Sequence, residues 1–247
     1  MADLFAGIDG ECAVSVTFYL RPQLQWIPSA WKQWGLKTGA SLSDFIPQCI
    51  GMRTPAFTRD IENWKSMLPR ANIDVRFLIP ELLAVGNPAP KFFKLLGLSE
   101  KEYHFEAEAG NPSLDVSVLH MLPKNSHFFS DVRDNRLMLG LTRVLPKEFR
   151  STNIEMLSAE QEGRIEEFFR DENRCLLNTY CSDADVDGIY RMHFMPRKAH
   201  ARYSDMTESE LIYRCLGIIL ESIASSGSQS DRRKNRNQGH STPIEDE

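Results

Sequence analysis

An arginine and a serine eight residues apart are the side chains best suited to bind a ligand. Arg21 follows residues 14–20, whose β-branched and aromatic side chains predict a strand, and Ser29 follows Pro28, which predicts the first turn of a helix. Ligands of α/β sheets bind where strands end and helices begin. A guanidinium matches phosphate geometry, and a hydroxyl adds one donor. The pair predicts a phosphate clamp; the alternative is a surface charge and an ordinary helix-start serine.

The elements around this pair predict a short parallel sheet. A second strand is expected over residues 73–78, after an amphipathic helix over residues 59–68, and Gly39 is expected to stop the helix that Pro28 begins. A strand, two helices and a strand at this spacing are typical of a parallel sheet. We therefore expect an α/β fold in which short parallel strands are flanked by helices.

The rest of the chain predicts helices. Two positions carry the signature of a capping box, in which Ser or Thr is followed three residues later by Gln or Glu: Ser158 with Gln161, and Thr207 with Glu210. The expected helices cover residues 91–96 (stopped by Gly97), 113–122 (capped by Ser113), 131–145, 158–180 and 207–225. One domain is expected over residues 1–225, and the polar segment 226–247 is expected to be a disordered tail.

The segment around the arginine and the serine resembles part of a protein family. Residues 19–39, YLRPQLQWIPSAWKQWGLKTG, are similar to the 3′-phosphate-binding segment of sulfotransferases that use 3′-phosphoadenosine 5′-phosphosulfate, in a bacterial branch related to polysaccharide-modifying enzymes. Further similar segments follow in the family's order: residues 75–77, 92–98, 111–114 and 173–180. The resemblance covers residues 14–181, and its specificity comes from the order and spacing of these parts.

The resemblance implies a function and a set of site residues. It implies that Arg21 and Ser29 hold the donor's 3′-phosphate, with Arg76 as secondary anion support. The implied fold is a P-loop nucleoside-triphosphate-hydrolase-like domain with a mostly helical C-terminal half. The implied activity is transfer of sulfate to a hydroxyl of a carbohydrate or lipopolysaccharide, with no catalytic residue identified. The alternative is a non-catalytic remnant of the family that binds a nucleotide or a partner.

The chain departs from the family's pattern at its beginning. In the family, a phosphate-binding loop after the first strand wraps the 5′-phosphosulfate, and a catalytic His or Glu lies between that loop and the segment matched here. Only 13 residues precede Val14, and none of them forms a Gly-rich loop with Lys and Ser or Thr. Such preorganised donors carry much of catalysis. We therefore expect an N-terminally shortened member that is inactive unless this loop is supplied from elsewhere.

Three other patterns are candidates for different chemistry: a calcium-loop-like segment, the histidines and the tryptophans. Residues 183–188 match the opening of a calcium loop, but the twelfth position, which needs a bidentate Glu, is Phe194, so an acidic turn is expected and no metal. The six histidines show no metal-ligand spacing, and His120 is expected to be a packing or surface residue rather than an acid/base group. The tryptophans are candidates to stack on a base or a sugar, whereas helical spacing predicts that Trp31 and Trp34 face the core or a partner.

Composition indicates an ordinary globular protein. Of 247 residues, 42% are hydrophobic and 26% charged, and the net charge of −5 gives no reason to expect a nucleic-acid partner. The five cysteines include no CxxC, which favours reduced thiols. No apolar run reaches the roughly 18 residues of a membrane span, and the first residues lack the Lys or Arg of a secretory signal. A cytoplasmic protein is expected.

Overall fold

A computed structural model describes residues 12–79, 88–98, 114–145, 154–181, 185–196 and 201–238. Its sheet has two parallel strands, β1 (Ser15–Leu20) and β2 (Asn72–Phe77), which pair in register from Ser15 with Asn72 to Leu20 with Phe77. The fold is therefore mixed α/β, and mostly helical. The predicted strands and their parallel pairing are confirmed.

Three helices connect the two strands. They are α1 (Gln23–Gln33), α2 (Leu42–Gly51) and α3 (Phe57–Met67), and a 3₁₀ turn, Gly35–Thr38, follows α1. Helix α3 confirms the predicted helix, whereas α2 was not predicted. Its signals are nevertheless local: the Ser41 hydroxyl accepts a bond from the Asp44 N–H, and the buried residues recur at helical spacing.

Gly39 ends the 3₁₀ turn rather than α1. Its φ of +83° lies in the left-handed region, and an added Cβ would meet Ser126 Oγ at 3.2 Å. The prediction that Gly39 stops the first helix was wrong, because α1 already ends at Gln33 and Gly39 caps the 3₁₀ turn that follows it. This tight stop lets the chain reverse into α2, which packs against α1.

The second half is helical, as predicted. Its helices are α4 (Pro88–Leu95), α5 (Val116–Met121), α6 (Arg136–Val144), α7 (Ala159–Tyr180), α8 (Val186–His193) and α9 (Glu208–Gln238), and 3₁₀ turns cover Pro123–Phe128 and Tyr203–Asp205. Helix α9 continues past Ser225, where we expected it to end and a disordered tail to begin; disorder beyond that point stays a prediction.

Both predicted capping boxes form. The Ser158 hydroxyl accepts from the Gln161 N–H while Gln161 accepts from the Ser158 N–H, and Thr207 and Glu210 exchange the same pair of bonds. The predicted Ser113 cap lies outside the described residues. The carboxylate of Asp115 caps α5 instead, accepting from the Ser117 N–H at 2.9 Å, so that helix starts later than expected.

Helix α7 joins two hydrophobic clusters. Near its start, Ile165 and Phe169 pack with residues of α1, α2 and α5; near its end, Leu176 and Leu177 pack under the sheet with Phe77 and other core residues. Between these sets, Asn173 accepts a buried hydrogen bond at 2.9 Å from Gln23, the first residue of α1. One helix therefore fixes α1 relative to the end of β1.

Candidate functional site

The connection from β1 to α1 is only two residues long. Leu20 ends the strand in the core, Arg21 is exposed, and Pro22 precedes the helix with φ at −50°. The Pro22 carbonyl accepts from the N–H groups of Gln25 and Trp26, so α1 begins at once. The sheet edge and the start of α1 are thereby held together, which is the usual ligand position in α/β folds.

Ser29 does not lie in the first turn of this helix, and that prediction was wrong. Because Pro22 rather than Pro28 sets the helix start, Pro28 lies inside α1 and Ser29 in its second turn. The free N–H groups of the helix start are therefore not beside Ser29. What Ser29 offers a ligand is its side-chain hydroxyl.

The side chains of Arg21 and Ser29 converge. Arg21 Nη1 lies 3.4 Å from Ser29 Oγ, a long contact in an exposed setting. The guanidinium has further N–H donors, and the hydroxyl can turn its proton toward a ligand. One oxyanion placed between them would accept bonds from both groups. The structure thus brings together the two residues on which the predicted clamp depends.

A cavity of about 260 Å³ opens beside this pair. Its lining combines the polar residues Arg21, Ser29 and Gln33 with four aromatic residues. Nine residues line it: Tyr19, Arg21, Trp26, Ser29, Ala30, Gln33, Trp34, Phe57 and Leu78. Its volume is slightly below the roughly 300–1,000 Å³ usual for small-molecule sites, which suits one part of a larger ligand.

Two tryptophans, Trp26 and Trp34, are among the aromatic residues that line the cavity. The ring centroids of Trp26 and Trp34 are 6.2 Å apart with planes inclined at 55°, and Trp34 is 40% exposed. Trp31 is different: it is buried in the core and donates from Nε1 to the Ala40 carbonyl at 2.8 Å. The core prediction is confirmed for Trp31, whereas Trp34 presents an accessible ring of the kind that stacks on bases or sugars.

Lys32, in the last turn of α1, adds a second positive charge near Arg21, which precedes the helix. Burial, and in second place the charge of Arg21, lower the pKa of Lys32 from its ordinary value. The ammonium group of Lys32 is therefore within electrostatic range of the guanidinium of Arg21, and the two repel each other. An anion bound at Arg21 would relieve this repulsion.

Tyr19 contributes a buried hydroxyl to the cavity region. Its Oη has no hydrogen-bond partner within the described parts of the chain. A buried hydroxyl without a partner costs about 1–3 kcal/mol. Sequence reasoning assigned Tyr19 no ligand-binding role of its own, although its place near the strand's end was a signal that it would reach the site.

We expect Tyr19→Phe to raise the free energy of unfolding by about 1 kcal/mol, because it removes an unsatisfied hydroxyl and keeps the ring. Urea unfolding followed by fluorescence measures the change. Tyr190→Phe is the matched control: the Tyr190 hydroxyl donates to the buried Glu166 at 2.9 Å, so this variant should be less stable. Equal losses in both variants would show that Tyr19 has a partner after all.

Arg76 is not brought to the cavity. It lies on β2 opposite Tyr19, and its Nε donates to Asp74 at 2.6 Å. Its charge is therefore already compensated by a neighbouring carboxylate, two residues away on the same face of the strand. A supporting role for Arg76 in anion binding stays a prediction from the resemblance.

The calcium-loop-like segment and His120, which the sequence offered as other candidate sites, have structural roles in the described parts of the chain. The Asp185 carboxylate caps α8 by accepting from the Gly188 N–H at 2.9 Å, and Phe194 is buried against Tyr190. The His120 Nδ1 pairs with the Tyr203 hydroxyl, as expected for a packing histidine.

Across the described ranges no group of three or more His, Cys, Asp or Glu residues is placed to hold a metal ion. In the same ranges, no helix is long and apolar enough to cross a membrane.

Comparison with known proteins gives one distant relative. The chain is 28% identical over 171 residues to an uncharacterized protein of Archaeoglobus fulgidus, an alignment covering 67% of this chain and 45% of the relative. The chain thus spans less than half the length of the protein it matches. No protein-family model matches the chain, and no solved structure matches it significantly.

Proposed function

We propose that the chain is a sulfotransferase-family protein with a P-loop-like fold whose cavity beside β1 binds 3′-phosphoadenosine 5′-phosphosulfate through the 3′-phosphate. The observation that supports this most directly is the 3.4 Å approach of the Arg21 guanidinium to the Ser29 hydroxyl, where the sheet ends. The implied acceptor is a hydroxyl of a carbohydrate or lipopolysaccharide. The acceptor class comes from the sequence resemblance alone.

The cavity chemistry suits a phosphate attached to a nucleoside. The guanidinium supplies two parallel N–H donors to phosphate oxygens, the Ser29 hydroxyl supplies a third, and the nearby Lys32 adds positive potential. The partly buried ring of Trp26 and the 40% exposed ring of Trp34 offer an apolar surface to the nucleoside. A phosphate held by Arg21 and Ser29 leaves the attached ribose and base free to contact the aromatic residues of the lining or to extend out of the opening.

A second function is favoured by what lines the cavity. None of its nine lining residues in the described structure is a His, Asp or Glu. Transfer to a hydroxyl needs a base for the acceptor proton, and stabilisation of the charge that develops on the sulfuryl group. The lining residues support binding more directly than transfer. A non-catalytic nucleotide-binding protein is therefore the second candidate.

Ligand discrimination tests the binding proposal. Adenosine 3′,5′-bisphosphate should bind at least about tenfold more tightly than adenosine 5′-monophosphate, since charged hydrogen bonds to the 3′-phosphate contribute about 1.5–3 kcal/mol. Isothermal titration calorimetry measures both affinities under identical salt. Equal affinities would reject the 3′-phosphate site. Sulfate transfer from the full donor to a polysaccharide, assayed in parallel, separates the enzyme from the binding protein.

A further inference from the structure

Helix α9 presents two apolar faces. The first is buried: Leu211, Ile218 and Ser222 are 5% exposed or less, and Ile218 belongs to the larger hydrophobic cluster. Arg214 fixes this side of the helix by a bidentate contact with Asp115, the residue that caps α5. The inner face of α9 therefore packs against the core of the same chain.

The second face is apolar and exposed. It consists of six large residues, which we call the α9 stripe: Ile212, Tyr213, Leu216, Ile219, Leu220 and Ile223. Their exposed fractions run from 36% at Ile212 to 74% at Tyr213. The hydrophobic clusters formed by the described residues include none of these six. Single exposed apolar residues are normal on a protein surface, but six on one helix face are not.

The spacing of the stripe is that of a helix–helix seam. Ile212, Leu216, Ile219 and Ile223 follow one another at intervals of four, three and four residues, the repeat that keeps one face of a helix against a partner helix. Tyr213 and Leu220 widen the seam along one flank. A surface this narrow, straight and apolar fits another helix with the same pattern.

We infer that the α9 stripe is the contact between two copies of this chain, with the two α9 helices antiparallel about a two-fold axis near Gly217. In this arrangement Ile212 of one copy faces Ile223 of the other, and Leu216 faces Ile219, so every seam position meets an apolar residue. A parallel arrangement would instead bring the acidic helix starts, with Glu208 and Glu210, together. Antiparallel packing also aligns the helix dipoles favourably.

The area is sufficient for a dimer. At roughly 150–200 Å² for a fully exposed large apolar residue, the exposed fractions correspond to about 500–700 Å² per copy. Two copies would bury about 1,000–1,400 Å², which reaches the roughly 1,000 Å² expected of a specific interface. A single copy leaves in water a patch as large as the largest found on typical monomers.

Sedimentation velocity of the full chain tests the dimer. The mass should rise from the monomer's 28.3 kDa toward twice that value between about 1 and 100 µM protein. Leu216→Glu should weaken dimerisation more than about tenfold, because it places a charge in the seam. The matched control is Leu139→Glu on α6, which changes a 54% exposed leucine outside the stripe and should leave the dimer intact.

The antiparallel register has its own test. Ile212→Lys and Ile223→Glu should each weaken the dimer, and the double variant should recover it, since each new lysine then faces a new glutamate. In a parallel dimer the double variant would oppose like charges and would not recover. A monomer at every concentration, or a dimer unaffected by Leu216→Glu, overturns the proposal, whatever else then covers the stripe.

Discussion

Arg21→Ala is expected to weaken the binding of adenosine 3′,5′-bisphosphate by about ten- to a hundredfold, the loss of about 1.5–3 kcal/mol of charged hydrogen bonding. Arg21 is exposed and contacts Ser29 only at 3.4 Å, so removing it should change the free energy of unfolding by less than about 0.5 kcal/mol. Loss of binding without loss of stability would identify Arg21 as a ligand-binding residue. Calorimetric titration and urea unfolding of the same preparations measure the two effects.

Two further variants make this result specific. Arg21→Lys keeps the charge but loses the planar fork, and should recover only part of the affinity. Arg76→Ala removes an equal charge from the neighbouring strand, where Asp74 already compensates it, and should change affinity less than about twofold. If Arg76→Ala matches the loss at Arg21, binding reflects general positive potential and not a clamp. If neither variant changes affinity, the ligand binds elsewhere.

The features that the sequence predicted well depend on local chemistry. Strand β1 follows from its β-branched and aromatic residues, and the start of α7 follows from Ser158 and Gln161, whose reciprocal bonds need only residues three apart. The contact of Arg21 with Ser29 belongs to the same group. A short connection between a strand and a helix leaves little freedom in where their side chains meet.

Two features were missed: the position at which α1 begins, and the residues that complete the cavity wall. Pro22 and Pro28 both favour a helix start, and only the fold shows that Pro22 sets it. The wall of the cavity depends on distant parts of the chain: Phe57 comes from α3, and Leu78 directly follows β2. Neither residue carries a sequence pattern that points to a ligand, because packing brings them to the site.

The charge of Arg76 illustrates the same limit. As a basic residue on the second strand it fitted the family resemblance, but Asp74 lies on the same face of β2 and pairs with it. The alternation of side chains along a strand made that pairing foreseeable from residues two apart. A predicted anion contact should therefore be weighed against acidic residues at the same spacing.

The largest effect on stability is expected from Arg202→Met. The Arg202 and Glu162 side chains are 11% and 4% exposed, their charged groups lie 2.8 Å apart, and Arg202 also donates to the Leu157 carbonyl. Removing the arginine takes a charged partner at 2.8 Å away from a buried carboxylate, and breaking a buried pair in this way typically costs about 3–5 kcal/mol. For a chain of this size the melting temperature should fall by about 6–20 °C. Thermal unfolding followed by circular dichroism measures the shift.

Replacing both partners distinguishes an ion pair from simple packing. In Glu162→Leu with Arg202→Met neither charge of this pair remains, so most of the stability lost in Arg202→Met should return. Arg59→Met is the matched control, because Arg59 and Asp60 form a surface pair with side chains 64% and 55% exposed, worth at most about 1 kcal/mol. A double variant no more stable than Arg202→Met would show that the arginine stabilises the junction between α7 and the segment before α9 through packing, independently of Glu162.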